Sequence, residues 1–361
     1  MRAVSASARE LIRDGGFAAS WVADLMYDGE RRLAGVPIRN PRLSWDAGQF
    51  VAGSGSVDVV WSDDHARSMV PREVGDWFAP FGAELQVDCL VGAGVFSERV
   101  PAGRFVIESV AGGEDSSIPF QGRRVTAGEV FSVRLKDSLV RVVRDEFPFP
   151  TRAESSSVWA EIQAITGFPV VRNVPDAVVP AGLAYEGGKS GVLSKLFDAL
   201  GAWPMVDASG VLTARPKVWP AAVGGVEGVV SAPVSMDSAE TYNRVVVEGK
   251  APSGDPIYAV REVPDGPLRV RNADGSVSPF GVATYRYQSD YLTSQAACDR
   301  YAAELLPRVS RLRGVTRTVR ERLNPLRELG DFLELDGGPV RVQSVEHDGA
   351  FTGLVVEVPD E

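Results

Sequence analysis

Apolar and polar residues alternate along most of this chain, and this alternation constrains the fold more than any other feature. Val57, Val59 and Trp61 stand two residues apart, so they share one face of an extended segment. Segments 131–135 and 340–343 alternate in the same way. One apolar and one polar face are typical of antiparallel strands that cover a core on one side and meet water on the other. The sequence therefore predicts a mainly β protein.

Four short stretches carry helical signals instead. Ser7 and Glu10 have the spacing of a capping box and predict a helix that ends at Asp14. Three further helices are predicted over residues 157–166, 190–200 and 293–306. Gly167 is predicted to end the first of these three, and Pro307 the last.

The strand and helix patterns divide the chain into three predicted domains. Residues 1–145 form a β domain, residues 146–230 a smaller α+β domain with a hairpin over 205–213, and residues 231–361 a second β domain with one helix. The motif Phe147-Pro148-Phe149-Pro150 at the first boundary predicts a rigid linker. The outer domains share a faint sequence similarity, but alternation produces such matches by chance, so an internal repeat is left open.

The charge of the chain limits its partners. A net charge of -10 argues against a protein that grips phosphate backbones, because such proteins carry basic patches. One region runs against this balance, and its arginines are Arg308, Arg311, Arg313, Arg317, Arg320 and Arg322. Arginine serves phosphate well, but this region lacks interleaved stacking aromatics, so a protein–protein interface is favoured over a nucleic-acid surface.

Neither a signal peptide nor a membrane span is expected. The opening residues lack an apolar core, and no window approaches the roughly 20 apolar residues of a spanning helix, so the protein is expected to be made in the cytoplasm and to stay soluble. Cys89 lies on the apolar face of an alternating run, far in sequence from Cys298. Cys89 is therefore predicted to be a buried free thiol.

The residues that could carry chemistry give no catalytic or metal site. Gly187-Gly188-Lys189-Ser190 looks like the end of a phosphate-binding loop, but Leu183 stands where the motif needs glycine, so a loop that caps a helix at Ser190 is predicted. His65 and His347 are the only histidines; both are predicted in solvated turns, and neither has metal-ligand spacing.

A glycosidase needs only two carboxylates, so the sequence alone does not exclude one. The adjacent acidic pairs are predicted to be solvated turns or tail, and they are Asp63-Asp64, Glu114-Asp115 and Asp360-Glu361. No pair is singled out. The sequence therefore predicts a protein without enzymatic activity, cofactor or metal.

An ordered series of motifs runs over nearly the whole chain. It begins with Pro101-Ala102-Gly103-Arg104-Phe105-Val106-Ile107, continues with the hairpin over residues 207–216, and ends with Tyr242-Asn243-Arg244-Val245-Val246-Val247, the helix over 293–306 and Leu329-Gly330-Asp331. In this order the series resembles the tail-hub, or baseplate-hub, minor tail proteins of long-tailed actinobacterial phages. The first motif is similar to their first barrel, the hairpin to their middle-domain hairpin, and the last three motifs to their third segment.

The resemblance implies a mainly β fold with α+β insertions, in which two tube-like antiparallel β-barrel or sandwich domains flank the smaller α+β middle domain. It implies a homotrimeric ring at the tail tip of the virion, where six barrels adapt the sixfold tail tube to threefold symmetry and line the DNA channel. The implied partners are the distal tail protein, the tail tube and other tail-tip, fibre or tape-measure proteins. DNA would pass without specific binding, no membrane would be involved, and the family brings no catalytic residues.

The alternative is a carbohydrate-binding or carbohydrate-cleaving tail accessory protein. Its signature would be an exposed aromatic platform. The available tryptophans are Trp21, Trp45, Trp61, Trp77, Trp159, Trp203 and Trp219. Of these, Trp21 and Trp61 lie on apolar faces, which predicts that they belong to the core.

Overall fold

The computed structural model describes residues 2–61, 68–120, 123–218, 222, 224–226, 228–231, 233–235, 238–239, 241–310 and 316–358, with the backbone alone at 113–120, 123–127, 234–235 and 316. The helices are α1 (Ala6–Asp14), α2 (Val140–Val143), α3 (Val158–Thr166), α4 (Lys189–Ala199) and α5 (Gln295–Val309). The first ten strands are β1 (Ala18–Tyr27), β2 (Glu30–Asp46), β3 (Gly53–Trp61), β4 (Glu84–Ala93), β5 (Phe96–Phe120), β6 (Arg123–Lys136), β7 (Glu146–Arg152), β8 (Ala184–Gly188), β9 (Ala202–Val206) and β10 (Leu212–Pro216). The others are β11 (Gly224–Gly225), β12 (Val229–Ser231), β13 (Val234–Ser235), β14 (Arg244–Lys250), β15 (Pro256–Glu262), β16 (Thr284–Gln288), β17 (Thr316–Arg322), β18 (Phe332–Leu335), β19 (Gly338–His347) and β20 (Phe351–Glu357).

The first six strands pair in a closed cycle. Their order is β1-β4-β5-β6-β3-β2, all neighbours are antiparallel, and β2 pairs again with β1. Alternate residues point inward, as the sequence predicts: Leu85, Val87 and Cys89 on β4 are fully buried. Phe78, from the connection between β3 and β4, packs edge-on against Phe131 at 5.2 Å. A closed cycle leaves no free strand edge between these six strands.

The C-terminal strands continue this sheet rather than standing apart from it. β19 pairs with the end of β2, from Ser344 opposite Asp46 to His347 opposite Leu43. β18, β19, β20 and β17 follow one another, and the short strands β11 and β12 pair with β18 and β17 respectively. A separate apolar cluster fills this half of the sheet, and it includes Val319, Leu333, Val342 and Leu354.

Two smaller units complete the fold, each with its own apolar cluster. In the first, α3 and α4 pack against the hairpin of β9 and β10, and Trp159 meets Phe197 edge-on at 6.0 Å. In the second, α5 covers one face of the three-stranded sheet β15-β14-β16 and buries Cys298. The mainly β class with α+β insertions is confirmed, as is the predicted hairpin. The division at residues 145 and 230 stays a prediction.

The helix predictions hold in part. Ser157 and Gly167 bound α3 as predicted, because the Ser157 hydroxyl accepts from the Ala160 amide and Gly167 takes the left-handed conformation. The predicted start of α1 is wrong: Ser5, not Ser7, caps it, and its hydroxyl accepts from the Ala8 amide. The capping-box pattern matched the sequence two residues too late.

Two predictions about proline are wrong. Pro307 does not end α5, which begins after Ser294 and continues to Val309. The segment that contains Pro148 and Pro150 is not a linker but the strand β7, paired with β8. Its register shifts between Phe147 and Thr151, and such a shift accommodates residues that cannot donate to the ladder.

Cys89 is a buried free thiol, as predicted, and Cys298 is buried and free as well. Burial raises the pKa of Cys89 to about 12, so the thiol stays protonated. In the part of the chain that the structure describes, none of the helices is long and apolar enough to span a membrane.

Candidate functional site: the junction of three segments

Three of the sequence motifs that carry the resemblance, over residues 101–107, 207–216 and 329–331, come together at one junction of the fold. Arg104, from the first motif, lies against Gly210 in the turn of the middle hairpin, and a Cβ on Gly210 would stand 2.8 Å from the Arg104 Cδ. Arg215, at the end of the same hairpin, lies against Gly330 of the third motif. A Cβ on Gly330 would stand 2.2 Å from the Arg215 Cδ. Both glycines have positive φ, so each supplies a turn and also room for an arginine stem.

Arg2 ties the N-terminus to the same junction. Its guanidinium donates to the Ala102 carbonyl at 2.7 Å and to the Pro325 carbonyl at 2.5 Å. The guanidinium also lies 5.2 Å from the ring centroid of Trp45. Burial lowers the pKa of Arg2, while Glu328 acts in the opposite direction. Arg2 therefore joins the first six strands to the loop that precedes β18 through charge-assisted hydrogen bonds.

Arg215 is a buried cation that lacks an ion pair. It is 7% exposed, and its Nη2 donates to the Met205 Sδ at 2.9 Å. None of the described carboxylates lies within 4.0 Å of its nitrogens, and Asp331 and Glu328 act on it only from further away. Burial lowers the pKa of Arg215 to about 10, so the group remains charged at neutral pH. Burying a charge without a partner costs folding free energy, so Arg215 is a candidate functional residue.

A cavity of about 460 Å³ opens beside Arg215, between the middle hairpin and α5. Its polar lining includes Lys217, Asp198 and Arg308, and its aromatic lining Trp203, Tyr285, Tyr287 and Tyr301. Lys217 forms an ion pair with Asp198, and the Tyr287 hydroxyl lies 3.4 Å from the Asp198 Oδ2. Burial raises the pKa of Tyr287 to about 12, so its phenol remains a hydrogen-bond donor.

The sequence did not single out Arg215 or its cavity. Within β10 every residue from Leu212 to Arg215 is buried, so the arginine interrupts no visible polar pattern. Gly330, the residue that makes room for it, is more than 100 residues away in sequence. The one sequence signal for this site was that Arg215 and Gly330 both lie in motifs that carry the resemblance.

The prediction that His347 lies in a solvated turn is wrong. His347 is the last residue of β19 and is 0% exposed, with its ring 5.6 Å from the centroid of Trp45. Its Nδ1 lies 3.0 Å from the Thr352 hydroxyl. Burial, with a contribution from nearby Arg2, holds the pKa of His347 well below its usual range. The turn begins one residue later, at Asp348. His65 lies outside the described residues.

Gly187-Gly188-Lys189-Ser190, which looks like the end of a phosphate-binding loop, contains the start of helix α4. Gly188, not Ser190, is the N-cap of α4, so the predicted cap is wrong, although the helix itself is within one residue of the prediction. The Lys189 Nζ lies 2.5 Å from the Asp145 Oδ2. This lysine therefore already has an anionic partner within the chain.

The candidate carboxylates remain dispersed in the described ranges. No group of three or more histidine, cysteine, aspartate or glutamate side chains there could hold a metal ion. Glu114 and Asp115 lie in β5, opposite Val130 and Glu129, and not in a turn as predicted. Asp63-Asp64 and Asp360-Glu361 lie outside the described residues.

The arginine-rich region is partly compensated by neighbouring carboxylates. The Arg317 Nη1 lies 2.5 Å from the Asp336 Oδ2, and the Arg320 Nη2 lies 3.6 Å from the Asp348 Oδ2. Arg322 lies against Gly15 at the end of α1, and Arg308 lines the cavity. Arg311 and Arg313 lie outside the described residues.

The tryptophans do not form the platform that the alternative function requires, as far as the structure describes them. Trp21 and Trp159 are buried, and Trp77, at 37% exposed, is the most accessible of the six that are described. Trp203 is covered by two cations, with Lys217 Nζ at 5.5 Å and Arg341 at 4.9 Å from its ring. Trp219 lies outside the described residues.

Comparison with known proteins identifies the architecture. No protein-family model matches the chain, and no curated protein matches its sequence. Among solved structures, a tail protein from Neisseria meningitidis matches with a TM-score of 0.55 and 13% identity, over 93% of this chain and 96% of that one. The chain shares the fold of this tail protein.

Two further tail proteins extend the likeness. The prophage MuSo2 tail protein from Shewanella oneidensis matches with a TM-score of 0.53 and 12% identity, over 94% of this chain and 99% of that one. A prophage tail protein from Listeria monocytogenes matches with a TM-score of 0.50 and 10% identity, over 95% of each chain. The likeness therefore spans the entire architecture and not a single domain.

Proposed function

We propose that this chain is a structural, non-enzymatic protein of a phage tail and a component of the virion. One observation carries the proposal: the fold matches that of three tail proteins, two of them from prophages, over 93% or more of every chain in these three comparisons. The junction supports it, because motifs from three parts of the sequence pack together there around Arg104 and Arg215. Such packing is suited to a protein in which mechanical force passes from one domain to another.

We further propose that the chain forms a homotrimeric ring at the tail tip, as the sequence resemblance implies. The closed cycle of the first six strands supports one tube-like barrel, and we take the sheet of β17 to β20 with its short strands, which continues from β2, as the second. Two barrels in each of three chains give six around the axis, which matches a sixfold tail tube. The expected partners are the distal tail protein, the tail tube and other tail-tip, fibre or tape-measure proteins.

A reconstruction of the tail from purified virions tests the ring. Three copies of this chain around the tail axis, beside the end of the tube, are expected. Six or twelve copies per tail would contradict the trimer, and density for the chain outside the tail would contradict the structural role. Native mass spectrometry of the free protein is a weaker test, because subunit assembly depends on concentration and on partners.

The absence of activity is tested separately. Purified protein is expected to leave peptidoglycan intact in a zymogram. Reproducible clearing that is lost when a specific pair of carboxylates is replaced would overturn the non-enzymatic proposal.

A further inference from the structure

We propose that the cavity beside Arg215 binds an acidic sugar residue, with its carboxylate paired to the Arg215 guanidinium. This binding site goes beyond the proposed tail role, and its test uses the protein as a single chain.

The anionic part of the ligand follows from charge. Arg215 lines the cavity and is 7% exposed, and among the described residues its guanidinium has a hydrogen-bond acceptor only in the Met205 thioether. Arg308 also lines the cavity, and no described carboxylate lies within 4.0 Å of it. Of the described residues in the lining, Asp198 is the one carboxylate, and Lys217 already neutralises it. The cavity is therefore cationic within a chain of net charge -10, and a carboxylate would supply the partner that Arg215 lacks.

The sugar part follows from the remaining lining. The phenol groups of Tyr285, Tyr287 and Tyr301 can donate and accept hydrogen bonds, as sugar hydroxyls require. Their rings and Phe50 give apolar surface for the C–H faces of a pyranose ring. A volume of about 460 Å³ lies within the ordinary range for small-molecule sites and admits one or two sugar rings.

A purely structural role for Arg215 is the competing explanation, and it makes the opposite prediction about stability. An arginine that holds the junction together would destabilise the protein when it is replaced. An arginine kept for a ligand has a buried, unpaired charge in the free protein, so an apolar side chain of similar length should be tolerated or even stabilising.

Binding is tested with sodium glucuronate, and glucose and sodium acetate serve as the neutral and the simple anionic comparison. Isothermal titration of the full chain is expected to show glucuronate binding that exceeds the binding of either comparison. Arg215→Met is expected to weaken glucuronate binding roughly 10- to 100-fold, the usual contribution of a charge-assisted hydrogen bond. The thermal midpoint of this variant, without ligand, is expected to equal or exceed that of the wild type.

Arg39→Met provides the matched control, because Arg39 is exposed on β2 and the substitution changes the net charge equally. It should leave binding unchanged. Equal binding of acetate and glucuronate would overturn sugar recognition, and unchanged binding by Arg215→Met would overturn the site. No binding of glucuronate, or a clear fall in the thermal midpoint of Arg215→Met, would leave Arg215 a structural residue. None of these results bears on the proposed tail role, which the copy number in virions decides.

Discussion

The buried arginines of this protein differ in the partners that compensate the free-energy cost of burying their charge. Arg327 forms a bidentate ion pair with Glu321, with Nε–Oε1 and Nη2–Oε2 distances of 2.7 and 2.8 Å. Arg2 donates to two backbone carbonyls. Arg341 pairs with Glu357 at 2.5 Å and covers the Trp203 ring. Among the described residues Arg215 has none of these arrangements, and this difference is the observation behind its proposed role in binding.

Gly330 is expected to be required for the packing of the Arg215 side chain. Gly330→Ala places a Cβ 2.2 Å from the Arg215 Cδ and also requires an alanine at a φ of 70°. The left-handed conformation costs about 1–2 kcal/mol, and the overlap adds about 1–3 kcal/mol. Gly337→Ala is the control, because its φ of 81° is similar but nothing lies within 4 Å of its Cβ. Chemical denaturation should show a larger loss for Gly330→Ala; equal losses would mean that Arg215 moves aside freely.

His347 is expected to make stability depend on pH. Its folded-state pKa lies well below the ordinary value of 6.5, so below that pH the unfolded chain binds a proton that the folded chain does not. The free energy of unfolding should therefore fall as the pH decreases below 6.5, by up to about 1.4 kcal/mol per pH unit from this group. In His347→Leu this contribution should disappear. Unfolding curves at pH 7, 6 and 5 measure the difference, and equal slopes for both proteins would contradict the assignment.

At the scale of elements, the start of α1 separates the sequence pattern from the structure. Ser5→Ala removes the hydroxyl that accepts from the Ala8 amide, and it should cost about 1 kcal/mol of stability. Ser7→Ala is the matched control, since Ser7 is exposed within the helix and alanine is the better helix former there. Thermal denaturation should show a lower midpoint for the first variant alone. A lower midpoint for Ser7→Ala than for Ser5→Ala would mean that Ser7 caps the helix.

Elements that depend on local periodicity could be predicted from the sequence, and elements that depend on distant partners could not. The alternation in β4 and the cap of α3 at Ser157 are local, so both agree with the structure. β7 contains two prolines and is a strand only because β8 lies beside it. His347 is buried because Trp45, about 300 positions earlier, packs against it. The same reason hid the cavity, whose lining comes from the β2–β3 connection, the middle hairpin and α5.

At the scale of the molecule, the pairing of β19 with β2 makes the N-terminal and C-terminal halves one continuous sheet. The second strand of the chain therefore depends on one of its last strands for a neighbour. In the proposed ring this continuity would hold the two barrels of each chain in a fixed relation, while the unit of α5 and β14 to β16 keeps a core of its own. Rigidity between the barrels is what an adaptor between two symmetries requires.

The charge of the molecule is expected to keep DNA from binding, as the proposed position along a DNA channel would require. Arg317 and Arg320, on β17, are already paired with Asp336 and Asp348, and the chain as a whole is acidic. Binding of the wild type to a DNA duplex at physiological salt should be weaker than about 10⁻⁴ M, the lower end of non-specific affinities.

Release of these two arginines should make the protein bind DNA. Asp336→Asn with Asp348→Asn leaves both guanidinium groups without their carboxylates, so fluorescence anisotropy at about 50 mM salt should show binding several-fold tighter than the wild type, with a steep dependence on salt. Asp265→Asn with Asp274→Asn makes the same change in net charge on the segment between β15 and β16, outside β17 and its two ion pairs. This control should bind no better than the wild type. If both double variants gain affinity equally, net charge alone determines DNA binding. If the wild type already binds DNA tightly, β17 is a DNA-binding surface, and the proposal of a channel without affinity for DNA is wrong.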